Sequence, residues 1–343
     1  MSDFYSRMKN RLSAKPVRWG ISGVAGFIGS HLLENLLLLD QEVFGVDNFF
    51  TGSQKNLDDV RSRVSPQQWA RFRFFTGDIR DEVVLQEFCA GRDVVLHEAA
   101  LGSVPRSIDD PVLTNEINVG GFVKMLSACR QAKVKRFVFA SSSAIYGDDA
   151  SEKKLEERIG QCLSPYAVSK YVNEVYARNF SYVYGIECIG LRYFNVFGPR
   201  QDPEGAYAAV IPKWIDAMLE NKPVVIFGDG QTSRDFCYVE NVVQANLLAA
   251  TTSEPAAINQ IYNVALSEKT SLKQLYDLLK QRLVEMRPSC DPAQPVLKPF
   301  RQGDILHSCA MIDKASERLG YVPEYNVKRG VELTFDWYAS QEK

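Results

Sequence analysis

Tyr166 and Lys170 stand four residues apart, downstream of a run of three serines, Ser141–Ser143. On a helix, positions i and i+4 lie one above the other on the same face, so this spacing sets an ammonium beside a phenol. A free tyrosine titrates near pH ~10 and is a poor base at neutrality. A lysine charge ~4 Å away, at an effective dielectric of ~20, favours the phenolate by about 4 kcal/mol. At about 1.4 kcal/mol per pKa unit, that brings the phenol close to neutrality. A tyrosine poised there can take a proton from an alcohol. The same spacing is common on ordinary exposed helices, so the pair gains meaning only from what lies around it.

The first such neighbour is Gly23-x-x-Gly26-x-x-Gly29, with Phe27 and Ile28 inside it. Val17–Ser22 reads as a short buried strand ahead of this turn, and Ser30–Leu39 has helical apolar spacing behind it. Each glycine has a task. The first permits the tight turn, the second admits a pyrophosphate to the backbone, and the third lets helix pack on strand. The helix N-terminus then offers N–H groups and its positive dipole end to phosphates. Glu42–Val46 is a second strand, ended by Asp47 at the ~20-residue spacing expected of a ribose-binding acid. A carboxylate there accepts from the ribose hydroxyls and repels a 2′-phosphate, so the expected cofactor is NAD, not NADP.

The elements that must position these residues alternate. Strands at Phe72–Phe75, Val94–His97, Arg136–Ala140 and Glu187–Arg192 are separated by helices at Glu82–Ala90, around Thr114–Gln131, and over the segment carrying Tyr166 and Lys170. Alternation of this kind predicts an α/β chain, a Rossmann-type doubly wound parallel sheet. After Gly198-Pro199 the alternation loosens, and helical spacing returns at Ala209–Leu219 and Leu272–Met286. The expected division is a dinucleotide-binding domain over 1–198 with returning segments near 231–265, and a smaller lobe from 199–230 and 266–343.

Composition bounds the rest. The 343 residues suffice for one large domain or two. Lys+Arg number 40 against 42 Asp+Glu, so nothing points to nucleic acid or an anionic membrane as partner. The seven cysteines include no C-x-x-C and read as reduced cytosolic thiols, which makes the expected location cytoplasmic. Three histidines without ligand spacing predict no metal site. No secretory signal is visible, the longest aliphatic run (Leu36–Leu39) cannot span a bilayer, and the polar N-terminal extension is expected to be a frayed or packing arm.

Taken together, the motifs resemble the extended short-chain dehydrogenase/reductase family, and within it the nucleotide-sugar 4-epimerases. The matching residues are Gly23–Gly29, Asp47-Asn48, Gly77-Asp78-Ile79, His97-Glu98-Ala99-Ala100 and Asn118. They continue with Ser141–Ser143 before Tyr146-Gly147, Ser164-Pro165-Tyr166 through Lys170, Leu191–Pro199, Gly228–Gly230, Ser233–Phe236, Asn263-Val264 and Arg301-x-Gly303-Asp304. Gly102–Ser107 and Arg200–Pro203 look like the substrate loops of bacterial UDP-N-acetylglucosamine 4-epimerases that serve surface polysaccharides. Two residues depart from the wider pattern: Val24, where glycine is usual, and Glu98, where a neutral residue is common.

The resemblance implies a role for each position. Tyr166 is the base, Lys170 lowers its pKa and binds the nicotinamide ribose, and Ser142 or its neighbour Ser143 binds the sugar 4-oxygen. Gly23, Gly26, Phe27, Ile28, Gly29, Asp47, Asn48 and Asn118 belong to the cofactor site, with Asp78 and Ile79 at the adenine and Ala99 and Tyr193 at the nicotinamide. Asn195, Arg234 and Arg301 hold the substrate diphosphate, and Gln201 and Asp304 lie in the substrate motifs. The implied reaction removes the 4-hydroxyl proton while C4 gives hydride to NAD, turns the 4-keto sugar about its diphosphate, and returns hydride to the other face. The ligand is then a UDP-sugar, UDP-N-acetylglucosamine and its galacto epimer in the first place, with UDP-glucose/galactose or a uronic acid as alternatives. Small residues at Gly102, Ser103, Ala209 and Ser308 leave volume for an acetamido group. A 4,6-dehydratase needs a carboxylate at the serine site, and Ser142-Ser143-Ala144 offers none. A non-catalytic NAD-binding regulator would lack the tyrosine or lysine. The family also implies a homodimer packed through helices around 114–131 and 166–183.

Overall fold

The computed structural model describes residues 3–203, 208–290, 292–300 and 306–341. Seven strands form one sheet: β1 (Arg18–Ser22), β2 (Glu42–Asp47), β3 (Phe72–Thr76), β4 (Val94–His97), β5 (Arg136–Ser142), β6 (Glu187–Tyr193) and β7 (Ile261–Val264). Their order is 7-6-5-4-1-2-3, and every pairing is parallel. The doubly wound α/β sheet expected from the alternation is present. Its chain order runs outward in both directions from between β1 and β4, which opens a crevice at the carboxyl ends of those strands.

Strands covered on both faces read as continuous apolar runs, and successive side chains feed opposite layers. Val138 and Ala140 of β5 join one core, with Leu32, Leu36 and the helix Val239–Thr251. Phe137 and Phe139 join the other, with Phe122, Met125 and Phe180. A third core lies in the C-terminal half, where Ile211, Trp214, Ile215 and Met218 line one face of the helix Val210–Leu219. They pack with Leu275, Leu279 and Phe335.

Three features add detail to the sequence pattern. The N-terminal extension is a helix, Asp3–Ala14, that buries Tyr5, Met8 and Leu12 at i, i+3 and i+7. The Leu12 carbonyl in its last turn accepts from Gln41 Nε2 at 3.0 Å, and Arg11 donates to Thr251 O at 3.0 Å. The long helix expected around Thr114–Gln131 is present, begins at Pro111, and carries a π-helical stretch, Glu116–Gly121, between Pro111–Asn115 and Phe122–Gln131. The close approach of Gly121 to Ile79 accounts for the glycine, since a Cβ there would lie 2.6 Å from Ile79 Cδ1. The seventh strand is only four residues long and follows a helix that packs on the first core. Among the described residues no helix is long and apolar enough to cross a membrane, and no cluster could hold a metal ion.

Candidate active site

The glycine turn leaves β1 with Gly23 at φ +72°, a conformation that disfavours a side chain. A Cβ on Gly23 would sit 2.8 Å from Ala99 N, and one on Gly29 would sit 2.1 Å from Gly23 O. Gly26 is looser, its nearest neighbour being Gly23 O at 3.1 Å. Gly26 is also the N-cap of the helix Phe27–Leu38 and has no side chain to close the helix end. The first turn therefore presents its N–H groups outward, as a phosphate site requires. Phe27 and Ile28 contribute backbone there, while their side chains pack against the C-terminal core.

Beside this turn lies a cavity lined by Gly23, Asp47, Asn48, Asp78, Ile79 and Ala99. Asp47 Oδ2 accepts from Ala25 N at 2.9 Å and Oδ1 from Phe49 N at 2.8 Å. Burial pushes its carboxyl up, and those N–H groups pull the other way. A carboxylate has about four lone-pair sites, so Asp47 retains capacity for two ribose hydroxyls. Asn48 Nδ2 donates to Asp78 Oδ2 at 2.9 Å. Arg80, which the motifs did not single out, chelates Asp78 at 2.9 and 2.8 Å and holds its carboxyl below the usual range. An uncapped helix end, a glycine cradle and a carboxylate with open lone pairs fit a dinucleotide.

Asn118, expected at the cofactor site, makes three hydrogen bonds within the protein. Its Oδ1 accepts from Leu101 N at 2.8 Å, and its Nδ2 donates to Leu101 O at 3.1 Å and Ser169 Oγ at 3.1 Å. It braces the loop after β4 against the helix carrying the tyrosine.

That helix, Pro165–Tyr184, begins where sequence rules place it. Ser164 caps it by accepting from Ala167 N at 3.1 Å, Pro165 occupies the first position, and Gly185 ends it at φ +73°. Tyr166 is half-buried and Lys170 is buried on the same face. Lys170 Nζ donates to Ala140 O at 2.8 Å. Burial lowers its pKa to about 8, opposed by the charge of Glu98.

The phenol does not match the electrostatic expectation. Burial raises the Tyr166 pKa above its ordinary value, and the opposing influence is a hydrogen bond with Ser142. The ammonium is directed to a strand carbonyl, so the spacing alone overstated its pull on the phenol.

The three serines separate into distinct roles. Ser141 Oγ donates to Glu174 Oε1 at 2.6 Å, in a buried network where Arg192 grips Glu174 at 2.8 and 2.7 Å. Ser142 ends β5, accepts from Ala144 N at 3.1 Å and acts on Tyr166. Ser143 is half-buried beside it. The Glu174 carboxylate is thus committed to Arg192 and Ser141, and the turn after Ser142 carries no acid. A wider cavity beside that ion pair, lined by Arg178 and Lys314, does not include Tyr166 or Lys170.

The residues expected at the substrate fall into a second group. Ser103 caps a short helix by accepting from Arg106 N at 3.1 Å, and Gly102 before it has nothing within 4 Å of a notional Cβ. Asn195 stands at φ +35° and donates to Asp235 O at 3.0 Å. Gln201 Nε2 donates to Val196 O at 3.3 Å, while its Oε1 is buried without a partner. Neighbouring Arg200 is turned inward, 2.5 Å from Glu34 and 3.0 Å from His31 Nδ1. Ala209 is exposed at the start of its helix. Ser308 is brought beside Arg234, because Ser308 N donates to Ser233 O at 3.2 Å. Arg234 itself donates to Ser233 O at 3.0 Å. Arg301 and Asp304 lie outside the described residues.

Two groups within the motifs make contacts that the motif reading did not assign. Asp235 is fully buried, accepts from Leu266 N and Ala310 N at 2.9 and 3.1 Å, and has its carboxyl pushed up to about 6 by burial. Tyr193 donates to Glu98 Oε1 at 2.9 Å and accepts from Asn246 Nδ2 at 2.9 Å. Asn246 lies on a helix far along the chain, and nothing in its local pattern signals a partner at Tyr193.

Residues 19–265 match the model of the NAD dependent epimerase/dehydratase family. A UDP-glucose 4-epimerase of Mycolicibacterium smegmatis is 33% identical over 327 residues, covering 94% of this chain and 99% of that protein. The solved UDP-N-acetylglucosamine 4-epimerase of Methanobrevibacter ruminantium, in complex with UDP-N-acetylmuramic acid, is 34% identical with a TM-score of 0.86. It covers 95% of this chain and 99% of its own. The Thermus thermophilus UDP-glucose 4-epimerase, solved with NAD, is 34% identical with a TM-score of 0.79, over 94% and 99% of the two chains.

Proposed function

The chain belongs to the NAD dependent epimerase/dehydratase family, and from that membership we propose that it is a UDP-sugar 4-epimerase acting on UDP-N-acetylhexosamines. The observation that carries the reading is that Ser142, at the carboxyl end of β5, acts on Tyr166 of the helix that also carries Lys170, in the sheet whose β1 bears the glycine turn at its own carboxyl end. NAD, when bound, supplies the redox chemistry at C4 of the sugar. The chain's own groups do the rest. The Tyr166 phenolate takes the proton of the 4-hydroxyl as C4 becomes a carbonyl, and returns it when C4 is reduced again. Ser142 donates to the same oxygen and so holds it against the phenol. Arg234 and Arg301 anchor the diphosphate, for which a guanidinium fork is suited. The sugar, held loosely among small side chains, can then turn over between the two half-reactions. The cofactor returns to its starting state each turnover, so tight retention serves the reaction.

The acetamido preference rests on volume. Ser308, placed beside Ser233 and Arg234, is small, and Gly102 opens onto free space. Substituting Ser308→Tyr is expected to lower kcat/KM for UDP-N-acetylglucosamine by ~10-fold or more while sparing UDP-glucose. Unchanged activity on the acetamido sugar would remove the volume argument. The decisive experiment incubates pure protein, without added NAD, with UDP-N-acetylglucosamine, UDP-glucose and UDP-glucuronate. Formation of the C4 epimer of the acetamido sugar at the highest kcat/KM is expected. No C4 epimer from any of the three sinks the reading.

The working unit in this proposal is a homodimer. Val168, Tyr171, Val175 and Tyr182 are exposed along the helix Pro165–Tyr184, and Ile108 and Val112 are exposed on the short helices that pack beside it. These six large apolar side chains sit together on one side of the sheet, an arrangement that marks an interaction face. Sedimentation velocity at micromolar concentration is expected to show a dimer, and Val175→Glu to shift it to monomer. A wild-type monomer under those conditions would exclude this assembly.

A further inference from the structure

We infer that Asp235 is a positioning residue for the substrate diphosphate: its buried carboxylate straps the segment 306–310 and the loop after β7 to the strand of Arg234, so that Arg234 and Ser308 are held as one clamp. The identity of the ligand rests on the epimerase reading, while the strapping is a property of the fold. Ser233–Arg234 is a strand of two residues, paired antiparallel with Thr270–Ser271. So short a ladder fixes little by itself. Ser308 reaches it from a distant part of the chain, and the two must be fixed relative to one another before either can serve a ligand.

The segment 306–310 runs beside Ser233 and Arg234. Ser233 N donates to Leu306 O at 2.9 Å, Ser308 N donates to Ser233 O at 3.2 Å, and Ser233 Oγ lies 2.9 Å from His307 Nδ1. Arg234 Nη1 donates to Ser233 O at 3.0 Å and to Leu306 O at 3.4 Å, so the guanidinium rests on the same segment. At the other end Asp235 closes the contact. Its Oδ2 accepts from Ala310 N at 3.1 Å and from the Cys309 thiol at 3.7 Å, and its Oδ1 accepts from Leu266 N at 2.9 Å. Its backbone carbonyl accepts from Asn195 Nδ2 at 3.0 Å. Asp235 thus joins the turn after β6, the strand of Arg234, the loop after β7 and the segment 306–310.

The residue type matters. An ionised carboxyl only accepts, and each of its two oxygens here meets a donor from a different segment. An amide in the same place turns its own N–H groups toward one of those donors and releases one strap. Among the described residues the donors to Asp235 are peptide N–H groups and a thiol. A carboxylate taken out of water is stable only where such donors are fixed around it, so the site is stiff by construction. Asp235 is fully buried, while Arg234 is half-buried, so the brace lies behind the arginine and not in contact with the ligand. A guanidinium held in advance loses less freedom when it grips a diphosphate, which is where the brace contributes affinity.

The test is Asp235→Asn in the holoenzyme, with UDP as the probe, since UDP carries the diphosphate and no sugar. The Kd for UDP, by titration calorimetry, is expected to rise about 10-fold, and KM for UDP-N-acetylglucosamine to rise in parallel, with kcat changed by less than about 2-fold. The ratio of bound NAD to protein should match wild type. In an Arg234→Ala background the same change should move the UDP Kd by less than about 3-fold, because the group through which the brace acts is gone. A UDP Kd unmoved in Asp235→Asn overturns the inference, and so does an equal rise with and without Arg234, which is what a general loosening of the lobe gives. Should Asp235→Asn not fold, amide exchange in the wild-type holoenzyme decides. Saturating UDP is expected to slow the Leu266 and Ala310 amides by about 10-fold or more and to leave those of the helix Phe122–Gln131 unchanged. Leu266 and Ala310 amides that do not respond to UDP overturn the inference. Absence of epimerisation by the wild type strikes the functional reading alone, because neither the titration nor the exchange needs turnover.

Discussion

Tyr166→Phe is expected to lower kcat for C4 epimerisation by about 10²–10⁴-fold, the range associated with removing a general base. The change deletes one oxygen from a half-buried side chain and leaves the ring in place. The helix start does not depend on that oxygen, since Ser164 and Pro165 form it. Ser142 keeps its own bond with Ala144 N. Thermal unfolding and the absorbance of retained cofactor should therefore match wild type while turnover is lost. Because burial raises the phenol, wild-type kcat should also fall as the pH is lowered. A variant with full epimerase activity would remove Tyr166 from the reaction.

Gly29→Ala is expected to abolish cofactor retention and to destabilise the fold by about 1–3 kcal/mol, as overpacking does. The added Cβ would lie 2.1 Å from Gly23 O, 2.8 Å from Gly23 C and 2.9 Å from Val24 Cα. All three are backbone atoms of the turn, so no rotamer change relieves the contact. The helix start must move away from β1, and its outward N–H groups move with it. Gly120→Ala is the matched control, because its Cβ would meet only Asn115 O at 4.0 Å. Equilibrium unfolding and the ratio of bound NAD to protein measure both effects. If Gly29→Ala keeps its cofactor and its stability, the turn is not the phosphate cradle described.

Local chemistry was legible along the chain because its causes are local. The strand–turn–helix at Gly23–Gly29, the acid at the end of β2, and the capped start of the helix carrying Tyr166 and Lys170 each follow from neighbours within a few residues. The π-helical stretch at Glu116–Gly121 was not legible, because the contact that calls for Gly121 is with Ile79, more than forty residues away. The N-terminal helix was half legible. Its apolar spacing is weak in isolation and acquires a partner only when Gln41 and Thr251 arrive beside it.

By itself, the sequence determined the α/β alternation, the dinucleotide turn and the spacing of Tyr166 and Lys170 on one helix face. Those depend on φ/ψ preference, helical periodicity and side-chain type, which short segments carry unaided. Only the tertiary structure decided the electrostatics of that pair. Whether an ammonium lowers a neighbouring phenol depends on what else the ammonium faces and how much water remains. Ala140, Glu98 and Ser142 reach the site from β5 and from the loop after β4, and their effect on Lys170 and Tyr166 arises only once those strands lie side by side.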